Sequence, residues 1–425
     1  MTLSIIAIIL LMAFLGAPIF IVMSAFAIVG FMAADIPITA IVVDIYNKFS
    51  NTPLLYTIPL FTFAGYILAE SKTSVRIVDF SKAIMGWLPG GLAIVSLAAC
   101  AFFTAFTGAS GVTIIALGGL LFPALLKEKY PENFSLGLLT SSGSLGLLFP
   151  PSLPVILFGV VSQASINKLF AAGMVPGLLL IVLLSLYSIF SARRAKAVRS
   201  AFSFREVIRA ANKTKWELLI PILIGVGIYG GFVTLGEIAT ITIVYALFIE
   251  VFIYRDLTLT QIPQIMVKSM VLVGGILIIL GSAVGLTNYL IDAEVPMQIF
   301  EVMQEFISSK IIFLILLNIF LLIVGCLLDI YSAILVVVPL ILPIAVNYGI
   351  DPVHLGIIFL TNLEIGYNTP PVGMNLFIGA FRFNRSVVAL FRASIPFLII
   401  LIISLLIITY VPELSLGLVE RLGIR

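Results

Sequence analysis

Apolar runs of unequal length, separated by short polar stretches, order this chain. A straight membrane span takes roughly 20 apolar residues. The first run, Leu3 to Ala34, is too long for one span and carries Gly16-Ala17-Pro18 where it can divide. Asp35 to Asn51 is mixed, with Asp44 and Lys48 among apolar residues at helical spacing, the pattern of a helix lying in the membrane interface. Pro53 to Ala69 reads as a span. Glu70 to Trp87 sets Lys72, Arg76, Asp79 and Lys82 on an apolar background and is again interfacial in character. Gly90 to Pro123 is apolar but interrupted by TAFTGASGVT, Thr104 to Thr113. That interruption predicts a re-entrant hairpin of two half-helices over about 96–127, with its tip at Gly108 to Gly111. After the polar turn Lys127 to Asn133 comes TSSGSLGLLFPPSLPVILFG, Thr140 to Gly159, apolar at both ends and interrupted by Pro150-Pro151. Proline removes a backbone donor and pushes the preceding residue out of helical geometry, so a broken helix is expected over about 134–165. Leu169 to Ser191 is the next span.

The second half repeats this order. Leu218 to Tyr254 is long, with a break near Gly230 to Glu237. Arg255 to Lys268 takes the place of the first interfacial stretch, Val271 to Ile291 is a span, and Asp292 to Lys310 takes the place of the second. Ile311 to Val346 is interrupted by GCLLDIYS, Gly325 to Ser332, which predicts a second hairpin over about 311–346. The polar turn Asn347 to Pro352 leads into a second broken helix over about 353–381, interrupted by Pro370-Pro371, and Ala393 to Tyr410 is the last span. Subtracting positions, 370 − 150 gives 220, and Gly146 with Gly366 and Gly159 with Gly379 give the same offset. The pattern predicts an all-α polytopic membrane protein built from two repeats, residues 1–192 and 216–411. A basic linker, 193–215, joins them and a tail, 412–425, follows.

Composition fits lipid as the main solvent: 61% of the 425 residues are apolar and 10% charged, against about 25% charged in soluble domains. The longest polar stretch, Arg193 to Glu217, is too short for a separate soluble domain. The N-terminus, MTLSIIAIILLMAFLGAPIF, lacks a basic n-region and a small-residue cleavage site and reads as a first membrane helix. The linker gathers Arg193, Arg194, Lys196, Arg199, Arg205, Arg209, Lys213 and Lys215, whereas the tail holds only Arg421 and Arg425. The positive-inside rule places the linker in the cytoplasm. With both termini outside, each repeat crosses an odd number of times and the repeats are inverted. Cys100 and Cys326 sit in apolar runs and read as packing residues. A net charge of +3 points to no partner. The chain has no HExxH, no P-loop pattern, no clustered Cys or His and no basic face with interleaved aromatics, which leaves enzymatic and nucleic-acid chemistry without support.

Two broken helices in matching positions of two halves point to a transporter's binding site. Unwound backbone exposes carbonyls, and half-helix C-terminal ends carry partial negative charge. Together they replace the hydration shell of a small cation such as sodium, with the hydroxyls of Thr107, Ser110 and Thr369 as further ligands. Half-helix N-termini suit an anionic substrate group. Asp329 is an ionisable residue at membrane depth, which marks it as functional unless it pairs with a distant Lys or Arg. The TGASG stretch reads either as a site or as small residues that permit close helix packing. Glu364 and Glu237 stay open between the two readings. His354, the single histidine, follows Pro352 in a polar turn and reads as a surface residue. A channel built from the same broken helices, or an intramembrane enzyme, are the alternatives from other classes.

GIDPVHLGIIFLTNLEIGYNTPPVGMNLF, Gly349 to Phe377, resembles the signature of the large membrane subunit of tripartite ATP-independent periplasmic (TRAP) transporters. Asp329 with the Pro339 to Pro343 run is similar to that family's second hairpin. IPLFTFAG, Ile58 to Gly65, and TLGEIATITIVYALF, Thr234 to Phe248, also resemble family segments. The resemblance covers essentially the whole chain. It implies a sodium-coupled importer of a small organic acid in the bacterial or archaeal inner membrane, working by an elevator mechanism. Hairpins and broken helices would form the mobile unit and the other helices the scaffold. It implies two partners, a small four-helix membrane subunit and a periplasmic substrate-binding protein. One sodium site maps onto Thr107, Ser110, Gly146, Phe149 and Pro151. The other maps onto Gly325, Asp329, Gly366 and Thr369. The substrate is expected between the tips, at Thr107, Ser110, Pro150, Asn362, Thr369 and Pro370. A self-sufficient sodium/anion symporter without a binding protein is the nearest alternative.

The chain departs from the family at the first tip. The usual SGSxxAD reads Thr107-Gly108-Ala109-Ser110-Gly111-Val112-Thr113 here, with Ala109 for the second serine and Thr113 at the acidic position. Tyr66 replaces the acidic residue common after IPxFxxAG. Backbone carbonyls and hydroxyls are therefore expected at the first ion site, with a carboxylate only at the second.

Overall fold

The computed structural model describes residues 2–197, 202–307 and 309–424, and every regular element among them is a helix. Arg199 and Arg425 lie outside the described residues. Seven helices are long and apolar enough to cross a membrane, or up to nine if each of two bent pairs counts as one span. Large apolar side chains on these helices face outward, such as Val244, Phe252, Ile319 and Ile403, as a lipid-facing surface requires.

The first apolar run divides at Gly16 (φ +89°) into Thr2–Phe14 and Ile19–Ala33. Thr39–Ser50 follows as the mixed helix, bent by 75° from the next span over Leu54–Glu70. Thr73–Met85 is the second mixed helix. The first hairpin is Gly91–Thr107 and Ser110–Lys127. Gly108 ends the first arm in left-handed geometry (φ +64°), which favours glycine. Ser110 already opens the second arm, so the tip is Gly108-Ala109 and does not extend to Gly111. The first broken helix is Glu132–Ser142, a tight turn Leu145–Leu148, then Leu153–Ser162.

The second half follows the same order, with differences. Residues 193–195 and 204–215 of the expected linker are helical. They close Ile166–Ala195 and open Phe204–Tyr229, so the connection between helices is short. Basic residues suit the first of these ends because a helix C-terminus attracts positive charge. Arg255 to Lys268 does not form a separate interfacial helix. Pro263 starts a helix at Ile262, no breaker follows, and Ile262–Asp292 runs unbroken for 31 residues. Val295–Phe306 is the amphipathic helix before the second hairpin, Lys310–Leu327 and Ile330–Asn347. Its tip narrows to Leu328-Asp329. Pro352–Gly366 and Met374–Phe383 are the second broken helix, and Val387–Tyr410 the last span. The expected tail is a docked helix, Glu413–Arg421, packed on Ile166–Ala195 and Pro352–Gly366, with Ser415 and Val419 buried.

Helices of one half pack against counterparts from the other. Ile262–Asp292 lies on Ile19–Ala33, and Thr57–Glu70 on Leu235–Phe248. The second arm of each hairpin packs on the far half of the opposite broken helix. An ionic cluster ties the frame together. Arg76 on Thr73–Met85 meets Glu217, Glu250 (3.1 Å) and Asp256 (2.5 Å). Burial works against the Arg76 charge. The bond to Asp256 and the charges of Glu217 and Glu250 outweigh it and hold the guanidinium above its ordinary pKa.

Candidate ion and substrate site

The two breaks sit directly against the two hairpins. A Cβ added at Gly146 would stand 2.2 Å from the Ala101 carbonyl oxygen, and one at Gly366 would stand 2.4 Å from the Gly325 carbonyl carbon. Glycine at these positions lets each unwound segment rest on hairpin backbone. The sequence pairing of Gly325 with Gly366 is thus a direct contact. The two Pro-Pro bonds, 150–151 and 370–371, are both cis.

The tips meet each other as well. Tyr331 Oη, two residues past Asp329, donates to the Gly108 carbonyl at 2.6 Å. Ser110 Oγ donates to Asn375 Oδ1 at 2.7 Å. The Asn375 amide in turn lies 3.4 Å from Asn368 Oδ1 and 3.5 Å from the Thr140 carbonyl. Asn375 therefore joins the first tip to both broken helices. The Tyr367 hydroxyl accepts from the Ile330 backbone N–H at 2.6 Å, fixing the second tip on the second break. Sequence reasoning missed Tyr331, Tyr367, Asn368 and Asn375. The only signal was their placement beside a tip or within the YNTPPVGMN stretch, Tyr367 to Asn375.

The expected residues divide. Thr107 is buried, and its hydroxyl stays within the tip, donating to the Ala109 carbonyl and accepting from the Ala109 N–H, both at 3.4 Å. Thr113, where the family places an acid, pairs with Thr104 (2.6 Å), and Thr104 donates to the Gly143 carbonyl (2.7 Å). A hydroxyl relay thus joins hairpin and break where the carboxylate is missing. Phe149 and Pro150 are half-buried and Pro151 is buried in the first break. Thr369 donates back to Ile365, and Pro370 is exposed. Asp329 has no Lys or Arg partner among the described residues. It caps its own arm: Oδ2 accepts from the Tyr331 and Ser332 N–H groups, and Oδ1 accepts from the Ser332 hydroxyl. Asn362, expected at the substrate, lies inside the helix packing with its side-chain oxygen unpartnered. Its amide donates to Asn318 Oδ1 at 2.7 Å, about 15 Å along the hairpin arm from the tip.

Three further readings change. Glu237 closes a capping box with Thr234 and has a structural role. Glu364 is fully buried, with neither carboxyl oxygen hydrogen-bonded. His354 is buried: it is the third residue of its helix, and the C-terminal helix covers it. The Thr409 carbonyl only accepts, so in the neutral ring Nε2 donates there (3.3 Å) and Nδ1 accepts from Ser415 Oγ (3.1 Å).

Buried side-chain oxygens without a partner gather on the segments around the breaks: Ser141 and Ser152 at the first, Asn362 and Glu364 on the half-helix before the second. With the turn carbonyls, the oxygens of Ser141 and Ser152 at the first break and of Glu364 before the second are of the donor type a small hard cation takes.

Residues 4–414 match the model of the DctM component of tripartite ATP-independent periplasmic transporters. The chain belongs to this family. It is 37% identical to the C4-dicarboxylate TRAP transporter large permease protein DctM of Pseudomonas aeruginosa, over 87% of each chain. It is 33% identical to the isethionate TRAP transporter permease protein DctMQ of Oleidesulfovibrio alaskensis, over 94% of this chain and 64% of that longer one. In fold it is similar to the Alcanivorax borkumensis YdaH transporter, with a TM-score of 0.64 at 13% identity over 88% of each chain. The permease thus places the stretch Gly349 to Phe377 at the contact of the second break with both hairpins.

Proposed function

We propose that this permease imports a small organic acid across the inner membrane, coupled to sodium, by an elevator movement of the two hairpins and two broken helices against the remaining helices. The observation that carries the reading is the convergence of both tips and both breaks through Tyr331–Gly108, Ser110–Asn375 and the Gly325–Gly366 contact. Thr107, Ser110 and the turn from Gly146 to Pro151 would hold one sodium. Gly325, the Asp329 carboxylate and the turn from Gly366 to Thr369 would hold the other. Asp329 keeps lone pairs for that role beyond its capping bonds. Each ion would draw a break onto its hairpin and order the space between the tips for the substrate.

The names of the relatives support a carboxylate or a similar small oxyanion as cargo. The words tripartite, periplasmic and large permease also support an assembly with two partners, which we take to be a small four-helix membrane subunit beside this chain and a periplasmic substrate-binding protein that delivers the acid. In this reading the two halves are inverted repeats, and the basic connection from Arg193 to Lys215 faces the cytoplasm. Counterflow in proteoliposomes holding both membrane subunits, with the binding protein outside, tests the proposal. A transporter exchanges labelled succinate against an internal unlabelled pool, saturates, and stops when the binding protein is omitted. Unsaturable flux without the binding protein would show a channel.

A further inference from the structure

Lys48 stands apart from the chemistry described so far. It projects from Thr39–Ser50 into a cavity of about 80 Å³, room for roughly two to three waters or one carboxylate group. The cavity lies where four elements meet: Thr39–Ser50, the end of the first broken helix at Val161, the second hairpin at Leu335 and Pro339, and Ile262–Asp292. Two of these elements belong to the unit that moves in the elevator reading, and two to its surroundings. The walls are apolar except for Lys48, Thr287 and Asn288.

Lys48 is half-buried, and an ammonium drawn part-way out of water is usually met by a carboxylate. Lys48 makes no ion pair among the described residues, although Asp44 lies one turn away on its own helix. Its one hydrogen bond is long, 3.4 Å to the Val160 carbonyl. That carbonyl is already served by Gln163 Nε2 at 2.8 Å, so capping the half-helix does not account for the lysine. An ammonium has three donors, and those not used on Val160 are available to a ligand in the cavity that Lys48 lines. Leu335 is one helical turn, about 6 Å, along the second hairpin arm from Tyr331, which bonds the first tip.

We infer that Lys48, with Asn288 and Thr287, forms an anion subsite that receives a carboxylate of the transported acid where the mobile unit meets its surroundings. The lysine supplies a charge-assisted bond, the asparagine amide and threonine hydroxyl supply neutral donors, and the apolar wall keeps competing water few. The inference rests on the transport reading, and places a contact to the substrate outside the tips and breaks.

The test uses the assembled complex and succinate as probe. Amine-reactive labelling of Lys48, read by mass spectrometry, is expected to fall at least about threefold when succinate is added, and an equal concentration of a neutral diol should not protect. In uptake assays Lys48→Met should raise the KM for succinate roughly tenfold or more, with half-saturating sodium unchanged. Lys48→Arg should restore most of the loss, and Asn288→Ala should raise KM by a smaller factor. Undiminished labelling, or a Lys48→Met variant that loses only maximal rate, overturns the subsite. Protection of Lys48 without any succinate uptake by the wild-type complex would instead sink the transport reading and leave the subsite standing.

Discussion

Replacing Gly366 with alanine places a methyl group where the second break meets the second hairpin. The new Cβ would lie 2.4 Å from the Gly325 carbonyl carbon, 2.6 Å from its Cα and 2.8 Å from its oxygen. Ordinary contact begins at 3.4 Å, so the two backbones must part by about 3.4 − 2.4, or 1.0 Å. All three atoms are backbone, and no side chain can rotate away to absorb the methyl. Overpacking of this kind costs about 1–3 kcal/mol. If sodium binds only with break and hairpin in contact, that cost is charged to ion binding, and half-saturating sodium rises roughly 5- to 150-fold. The assay is the sodium dependence of succinate uptake by the reconstituted complex, with thermal unfolding as a check on folding. Gly274→Ala is the control: its Cβ meets nothing within 4 Å, and it should leave sodium dependence unchanged. A folded Gly366→Ala complex with wild-type half-saturating sodium would refute the reasoning.

Tyr331→Phe removes the bond between the tips and leaves the Gly108 carbonyl short of a donor, for a loss of about 0.5–1.5 kcal/mol. Substrate KM should rise severalfold, measured by uptake. Asp329→Ala loses the cap of the second hairpin arm and should lower unfolding stability by about 1 kcal/mol, while Asp329→Asn keeps the cap. Half-saturating sodium should nonetheless rise in Asp329→Asn, and an unchanged value reduces Asp329 to a cap. Arg76→Ala leaves Glu217, Glu250 and Asp256 together without their common cation. Losing one partner of a buried pair costs about 3–5 kcal/mol, so the thermal transition should fall sharply, and Arg76→Lys should recover only part of it.

Much of this architecture was legible because membrane helices have few ways to stop. Gly108, the double prolines and Asp329 interrupt long apolar runs, and each interruption became a tip or a break. The helix ends fall close to those positions. Contacts across more than 200 positions were not legible. Nothing local in the chain says that Tyr331 reaches Gly108 or that Ser110 reaches Asn375. Polar composition misled at the ends of elements. The basic stretch from Arg193 to Lys215 reads as a linker, yet most of it is helix, since long basic side chains project to water while the helix continues. The same applies to 412–425, where alternating polar residues hide Ser415 and Val419 against the core. His354 looked exposed because it follows the polar turn Asn347 to Pro352, and what buries it is that C-terminal helix. Asn362 read as a ligand because it sits in the signature. Its partner is Asn318, 44 positions away.

The central claim is that sodium drives the cycle through the two hairpin–break junctions. Its most direct test is uptake of labelled succinate into proteoliposomes containing this permease and its small subunit, with the binding protein outside. An inward sodium gradient, an inward proton gradient and no gradient are compared. Uptake above equilibrium only under the sodium gradient, collapsing when the gradient is dissipated, is the predicted result. Uptake at the same rate in choline medium, or driven by the proton gradient alone, would contradict it.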